Sequence, residues 1–410
     1  MSGNLTVTSP KISNRAKTIQ ASPLRKLAAI AEERKKTGIK VYHLNIGQPD
    51  LPTDPAFYDE LNKIPRTTIA YAPSNGLPQT IKAWKTYFEN VGIQLEENEI
   101  IVTSGGSEAI IFAMNIICDV NEEIIVFEPF YTNYNGFASL ANVKLVPVPL
   151  SIENGFHLPE ENEIEKYITE RTRGILITNP SNPTGTVYTR EEIQRLVNIV
   201  QKYNLFLLSD EVYREFVYEG EFTSVMDFPE ISQQAILLDS ASKRFNVCGA
   251  RIGVLASHNK EVVQSALKFG MARLSVASIE QLAIIPMLIN PEKYTTPIVE
   301  EFRRRRDVVY DYLSKIEGIT FYKPEGAFYI VIGLPVKDSD HFARWMIEKF
   351  DYNNETVLIA PANGFYATQT KGVNEVRLAF MLNIEEMKKA LNIIKIALDE
   401  YKKSAIKFKV

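Results

Sequence analysis

Short apolar runs alternate with amphipathic stretches through the middle of the chain. Runs at 100–103, 124–127, 143–148, 174–178, 205–209, 235–238 and 252–256 read as strands. Between them, apolar residues recur at helical spacing over 107–117, 190–203 and 260–271. The strand runs are rich in β-branched residues and lack a polar alternate face. That pattern predicts strands buried on both faces of a mostly parallel sheet, hence an α/β architecture with helices covering the sheet.

The pattern changes after about residue 290. A long helix is predicted over 292–316, then strands at 320–322, 328–332, 357–360 and 375–380, and a closing helix over 384–402. This reads as a second, smaller α+β domain. At the other end, residues 1–15 read as a loose leader. Leu24, Leu27, Ala28 and Ala31 then mark a helix over 23–36. The stretch 44–47 reads as a crossover into the larger domain. The expected division is 1–47 joining the small domain, 48–290 as the large domain, and 291–410 as the body of the small one.

Composition narrows the function classes. Hydrophobic residues make up 45% and charged residues 23% of the 410 positions, as in an ordinary globular protein. The net charge of -4 argues against nucleic acid as a partner. The densest basic run, Arg303 to Arg306, reads as the solvated face and inner turn of a helix. Two cysteines, Cys118 and Cys248, make no disulfide framework and point to a reducing compartment. The first 17 residues lack the apolar core of a signal peptide, and no run approaches the roughly 18 apolar residues of a membrane span. The expectation is a cytoplasmic protein without membrane contact. His43, His157, His258 and His341 show no metal-ligand spacing, so no metal site is expected.

Four stretches at strand ends carry candidate chemistry. Lys243 follows the run at 235–239 and is flanked by Ser240, Ser242 and Arg251. Burial would favour its neutral, nucleophilic amine, while the hydroxyls and guanidinium suit a phosphate. A lysine in a serine-rich surface loop would look the same. Asn182 lies in Asn179-Pro-Ser-Asn-Pro-Thr-Gly185, a rigid loop at a strand's carboxyl end, where ligands sit in open α/β sheets. A purely structural turn fits equally. Asp210 follows Phe206–Leu208 and could pair with a protonated ring nitrogen, or cap a helix. Gly106 and Ser107 lie in Thr103-Ser-Gly-Gly-Ser-Glu-Ala109, where a helix N-terminus would offer N–H groups to an anion. Neither a dinucleotide nor a Walker fingerprint is present.

Taken in order with Leu44-Asn-Ile-Gly-Gln-Pro-Asp50, Tyr71-Ala-Pro-Ser-Asn-Gly76, Pro324-Glu-Gly-Ala-Phe-Tyr329 and Val376-Arg-Leu378, these stretches resemble the class I/II aminotransferases, which are fold-type-I pyridoxal-phosphate enzymes. The eight-residue step from Lys243 to Arg251 fits the family's spacing. The resemblance implies a mostly parallel seven-stranded-type sheet and pyridoxal 5'-phosphate as cofactor. It implies a ping-pong transfer of an amino group from an L-amino acid to a 2-oxo acid, 2-oxoglutarate being the expected acceptor. Lys243 would hold the cofactor as a Schiff base and shuttle the proton. Asp210 would pair with the ring nitrogen. Tyr213 and Asn182 would bond the ring's phenolic oxygen, and Tyr131 would stack on the ring. Gly106, Ser107, Ser240, Ser242 and Arg251 would surround the phosphate. Tyr71 would reach the phosphate of a second subunit, which implies a homodimer with shared sites. Arg377 would take the substrate α-carboxylate, helped by Asn182 and the Gly47 backbone.

Some positions depart from aspartate-specific members. Ser107 lies near where one bacterial subgroup carries a lysine that reads dicarboxylates, and it brings no charge. Gln48 stands where glutamate is frequent. Arg273 suits either an acidic side chain or a helix end. Phe130, Tyr131, Phe365 and Tyr366 suit large apolar substrates or plain packing. A β-lyase of the same fold, and a ligand-sensing regulator that reuses it, are the competing readings.

Overall fold

The computed structural model describes residues 10–20, 26–65 and 67–407. Strand β1 (Lys40–His43) precedes the seven strands of the main sheet: β2 (Ile100–Thr103), β3 (Glu123–Glu128), β4 (Lys144–Pro149), β5 (Thr172–Thr178), β6 (Phe206–Asp210), β7 (Ala235–Ser240) and β8 (Gly253–Ala256). Five short strands follow: β9 (Thr320–Phe321), β10 (Tyr329–Gly333), β11 (Glu355–Leu358), β12 (Ala360–Pro361) and β13 (Glu375–Ala379).

The main sheet has the order β2-β8-β7-β6-β5-β3-β4. All pairings are parallel except those of β8, which runs against both β2 and β7. The carboxyl ends of the other six strands therefore share one edge with the amino end of β8. Every residue of β2, β3, β7 and β8 is buried, as predicted from their unbroken apolar runs. Helix Gly106–Ile117 covers one face, where Ala109, Ala113 and Met114 meet Leu208, Ile236 and Leu255. Helix Arg190–Tyr203 covers the other. Ile193, Leu196, Val197 and Val200 recur at helical spacing and are wholly buried. Thr189 and Glu192 form a capping box at its start, and Asn204 ends it in the left-handed conformation.

A separate core joins the two chain ends. Leu27, Ala31, Tyr42 and Leu44 pack with Phe328, Phe342, Leu378 and Leu391. Strand β1 pairs in parallel with β11, and β12-β13-β10-β9 form an antiparallel sheet. Helices Pro291–Leu313 and Ile384–Lys407 lie beside it.

The predicted strand over 357–360 is two strands. β11 serves β1, and the chain then switches sheets so that β12 pairs with β13. Pro361 is tolerated because β12 is an edge strand. The helix expected over 23–36 runs from Ala28 to Lys36; Pro23 and Leu24 lie outside the described residues. In the segment expected to be a leader, residues 1–9 are likewise outside them, and a short helix occupies Asn14–Thr18.

The basic run is less solvated than its composition implies. Arg305 and Arg306 are buried: Arg305 reaches Asp50 at 2.6 Å and the Met381 carbonyl at 2.5 Å, and Arg306 reaches the Pro324 carbonyl at 2.6 Å. They tie the long helix to the segments flanking the cleft. Among the described residues, no helix is long and apolar enough to cross a membrane, and no His/Cys/Asp/Glu cluster has metal-binding geometry.

Candidate active site

A cavity of about 560 Å³ opens at the shared strand edge. Open α/β sheets bind ligands at such edges because loops there are free of the sheet's own pairing. Each expected residue except Tyr71 lines it: Gly47, Gly106, Ser107, Tyr131, Asn182, Asp210, Tyr213, Ser240, Ser242, Lys243, Arg251 and Arg377. Tyr71 is 82% exposed and lies outside this chain's cavity.

At the cavity floor, β6 ends on Asp210. Its carboxylate accepts the Tyr134 hydroxyl at 2.9 Å and the Val212 N–H at 3.4 Å. Burial pushes it up to about 6, with the Tyr134 hydrogen bond acting against that rise. Tyr134 was not expected from the sequence. It follows Tyr131 by three residues, across the turn in which the Tyr134 N–H donates to the Tyr131 carbonyl at 2.9 Å. Tyr131 meets Tyr134 edge-on at 5.5 Å, and burial pushes its phenol up to about 12.

Lys243 sits on the loop after β7. Its Nζ donates to the Gly47 carbonyl at 2.9 Å and lies 3.7 Å from Cys248 Sγ. Beside it, Ser240 and Ser242 hydroxyls are 2.8 Å apart. Arg251, itself in the left-handed conformation, donates to the carbonyls of Cys248 at 3.1 Å and Ser104 at 3.4 Å. Gly105 has φ +78° and lies so close that a Cβ there would come within 2.5 Å of Arg251 Nη2. Only glycine permits that turn and that approach, which bring the helix N-terminus at Gly106 beside the guanidinium.

The far wall comes from the other core. Arg377 on β13 is 1% exposed. It donates to Asn182 Oδ1 at 3.1 Å and to the Asn45 carbonyl at 2.6 Å. Its guanidinium lies 4.4 Å over the Tyr329 ring and 4.9 Å over that of Phe365. Nε has no hydrogen-bond partner, and burial pulls the group below its usual range. Asn182 also approaches the Tyr213 hydroxyl at 3.5 Å.

Arg273 ends its helix, with Nε 3.2 Å from Glu108 and Nη2 3.1 Å from the Val102 carbonyl. It is a helix-end arginine and does not line the cavity. Phe130 packs on Tyr134, and Tyr366 bonds Glu375 at 2.7 Å; neither lines the cavity. Tyr329 and Cys248 do line it. The sequence gives the first no role beyond its motif and the second none beyond its redox character.

The donor set fits pyridoxal phosphate. Ser240, Ser242, Arg251 and the N–H groups at Gly106 and Ser107 suit a phosphate dianion. Asp210 is a buried carboxylate that a protonated ring nitrogen would compensate. Lys243 supplies the amine, and Arg377 the cation for a carboxylate. The class defined by this fold and this set of groups is a pyridoxal-phosphate-dependent transferase.

Comparison with known proteins gives the family. The profile of aminotransferase class I and II matches residues 39–394. The aspartate aminotransferase of Pyrococcus horikoshii is 30% identical over 95% of this chain and 97% of its own length. A probable aspartate/prephenate aminotransferase of Aquifex aeolicus is 30% identical over 95% and 99%. The solved structure of a Thermus thermophilus aspartate aminotransferase double mutant superposes with a TM-score of 0.87 at 27% identity, covering 95% of this chain and all of that one. This chain belongs to the class I and II aminotransferases, and is a pyridoxal-phosphate-dependent transaminase.

Proposed function

We propose that the enzyme moves an amino group from an L-amino acid to a 2-oxo acid, with 2-oxoglutarate as acceptor, in two half-reactions at this one cavity. The observation that carries the reading is that Lys243, Asp210 and Arg377 line a single cavity. Bound pyridoxal phosphate supplies an aldehyde to take the amino group and a ring to delocalise the electrons left by the α-proton. Lys243 Nζ would hold the aldehyde group and, when free, would be placed to accept the α-proton. Asp210 keeps the ring nitrogen protonated. Tyr213 and Asn182 donate to the ring's phenolic oxygen. Tyr131 would stack on the ring, while Gly106, Ser107, Ser240, Ser242 and Arg251 would hold the phosphate. Arg377 orients the substrate through its α-carboxylate, with Asn182 and the Gly47 backbone beside it. A 2-oxo acid offers Arg377 the same carboxylate next to its reacting carbon, so one site serves both substrates.

We further assign the functional unit as a homodimer in the cytoplasm. Ile69, Tyr71, Met271 and Leu274 are all more than half exposed. Hydrogen bonds from Ser74 to Leu274 and from Ser278 to Ala70 hold their segments together. An apolar patch of this kind favours a self-complementary contact, and it would carry Tyr71 to the partner's phosphate. The proposed boundaries are 1–47 and 291–410 for the small domain and 48–290 for the large one.

Borohydride reduction of the yellow holoenzyme, followed by peptide mass spectrometry, tests the reading. The adduct is expected on Lys243, and Lys243→Ala should lose both the adduct and the pH-sensitive visible band. An adduct on another lysine overturns the assignment. Mixing the holoenzyme with each amino acid in turn, and recording which bleaches the visible band, identifies the donor.

A further inference from the structure

We propose that Tyr329 is a positioning residue that serves both ends of the cavity: its hydroxyl polarises the Tyr213 hydroxyl, and its ring carries the Arg377 guanidinium. The inference rests on the roles given above to Tyr213 and Arg377.

Tyr329 opens β10 and is 2% exposed. Its hydroxyl lies 2.9 Å from that of Tyr213, and the two rings meet edge-on at 5.7 Å. Its ring face lies 4.4 Å beneath the Arg377 guanidinium. The same hydroxyl presses on the Gly47 segment, where a Cβ would come within 1.8 Å of it. Gly47 in turn accepts the Lys243 amine. One side chain thus touches three groups assigned to two different tasks.

The direction of the Tyr213–Tyr329 hydrogen bond follows from charge. Each phenol has one proton to give. A cation over the Tyr329 ring draws electron density from it and strengthens its hydroxyl as a donor. Tyr329 therefore donates to Tyr213, and the proton of Tyr213 is left for the ring oxygen of the cofactor. Burial holds the Tyr213 phenol well above its usual range, so it stays protonated and able to donate. A donor that is itself hydrogen-bonded is the stronger for it.

Two substitutions separate the two tasks. Tyr329→Phe keeps the ring and removes the hydroxyl; Tyr329→Leu removes both. The readouts are the pH midpoint of the cofactor's visible absorbance change, and KM against kcat for the amino donor. Weaker donation to the ring oxygen would make the cofactor-bound Lys243 Nζ more basic. Tyr329→Phe should therefore raise the midpoint by roughly half a pH unit to one unit, with KM changed less than about threefold. Tyr329→Leu should show the same midpoint shift and a KM raised roughly tenfold. Tyr213→Phe is the reference and should raise the midpoint further. If Tyr213→Phe moves the midpoint and Tyr329→Phe does not, this inference fails while the reading of the site stands. If neither moves it, the ring-oxygen role of Tyr213 fails first. An unchanged KM in Tyr329→Leu overturns the carboxylate half.

Discussion

Two sets of buried charges lie side by side in this molecule and are built on opposite principles. Asp210, Ser240 and Lys243 line the cavity. Their immediate chain neighbours Glu211, Asp239 and Arg244 do not; with buried Arg214 and part-buried Glu215 they form an ionic layer outside it. Arg244 pairs with Asp239 and with Glu215, the latter at 3.1 Å, and its guanidinium lies 4.5 Å from the Tyr87 ring. Glu211 pairs with Arg214 and accepts the Ser224 hydroxyl at 2.9 Å and the Val225 N–H at 3.1 Å. Burial pulls both arginines down, but their carboxylates outweigh it and hold both above the usual guanidinium range. Arg377 is equally buried, yet among the described residues it has no carboxylate partner, and burial pulls it below that range. A buried cation with internal anions stabilises a loop. One with only neutral partners is held ready for an anion that comes from outside.

Substitutions on the two sides should therefore fail in different ways. Arg244→Met strands the Asp239 carboxylate in the interior and should cost about 3–5 kcal/mol of stability in urea unfolding. A loss under about 1 kcal/mol would show that the layer is not closed on itself. Arg377→Met removes a cation that has no counter-ion, so unfolding should change little. Its KM for amino acids should rise by orders of magnitude, since a charge pair in a closed site is worth roughly 2–5 kcal/mol. A normal KM would hand the carboxylate to another residue.

Asp210 gives a smaller effect. Between its ordinary 3.8 and about 6, the folded chain holds a proton that the unfolded chain has lost. Stability of the cofactor-free protein should fall as pH rises through that window. Asp210→Asn should abolish that slope and stabilise the cofactor-free protein at pH 7 by roughly 1–3 kcal/mol, while transamination is lost. Unchanged stability at both ends of the window would mean that the carboxylate is solvated.

A further pH effect lies outside both regions. His157 stands between Glu192, 3.0 Å from Nδ1, and Glu325, 3.5 Å from Nε2. Their hydrogen bonds raise it from 6.5 to about 10 against the pull of burial. Its contribution is complete below pH 6.5 and is lost as pH rises through 10. Urea midpoints measured across that range should fall more for the native chain than for His157→Gln; parallel curves would refute the pairing.

The sequence was sufficient for the alternation of apolar runs and helices, because strands buried on both faces carry no polar alternate and helices repeat at their own period. It also marked Lys243, Asp210 and Asn182 at strand ends, each open to a structural reading on its own, and Arg377 through the order of family-like stretches. What only the tertiary structure decided depends on contacts between distant segments. The splitting of 357–360 between two sheets, the burial of Arg305 and Arg306 inside a basic run, and the meeting of Tyr134 with Asp210 and of Tyr329 with Tyr213 all belong to this class. No local period records them, because whether a charge or hydroxyl is satisfied depends on which remote side chain folding brings within hydrogen-bonding distance.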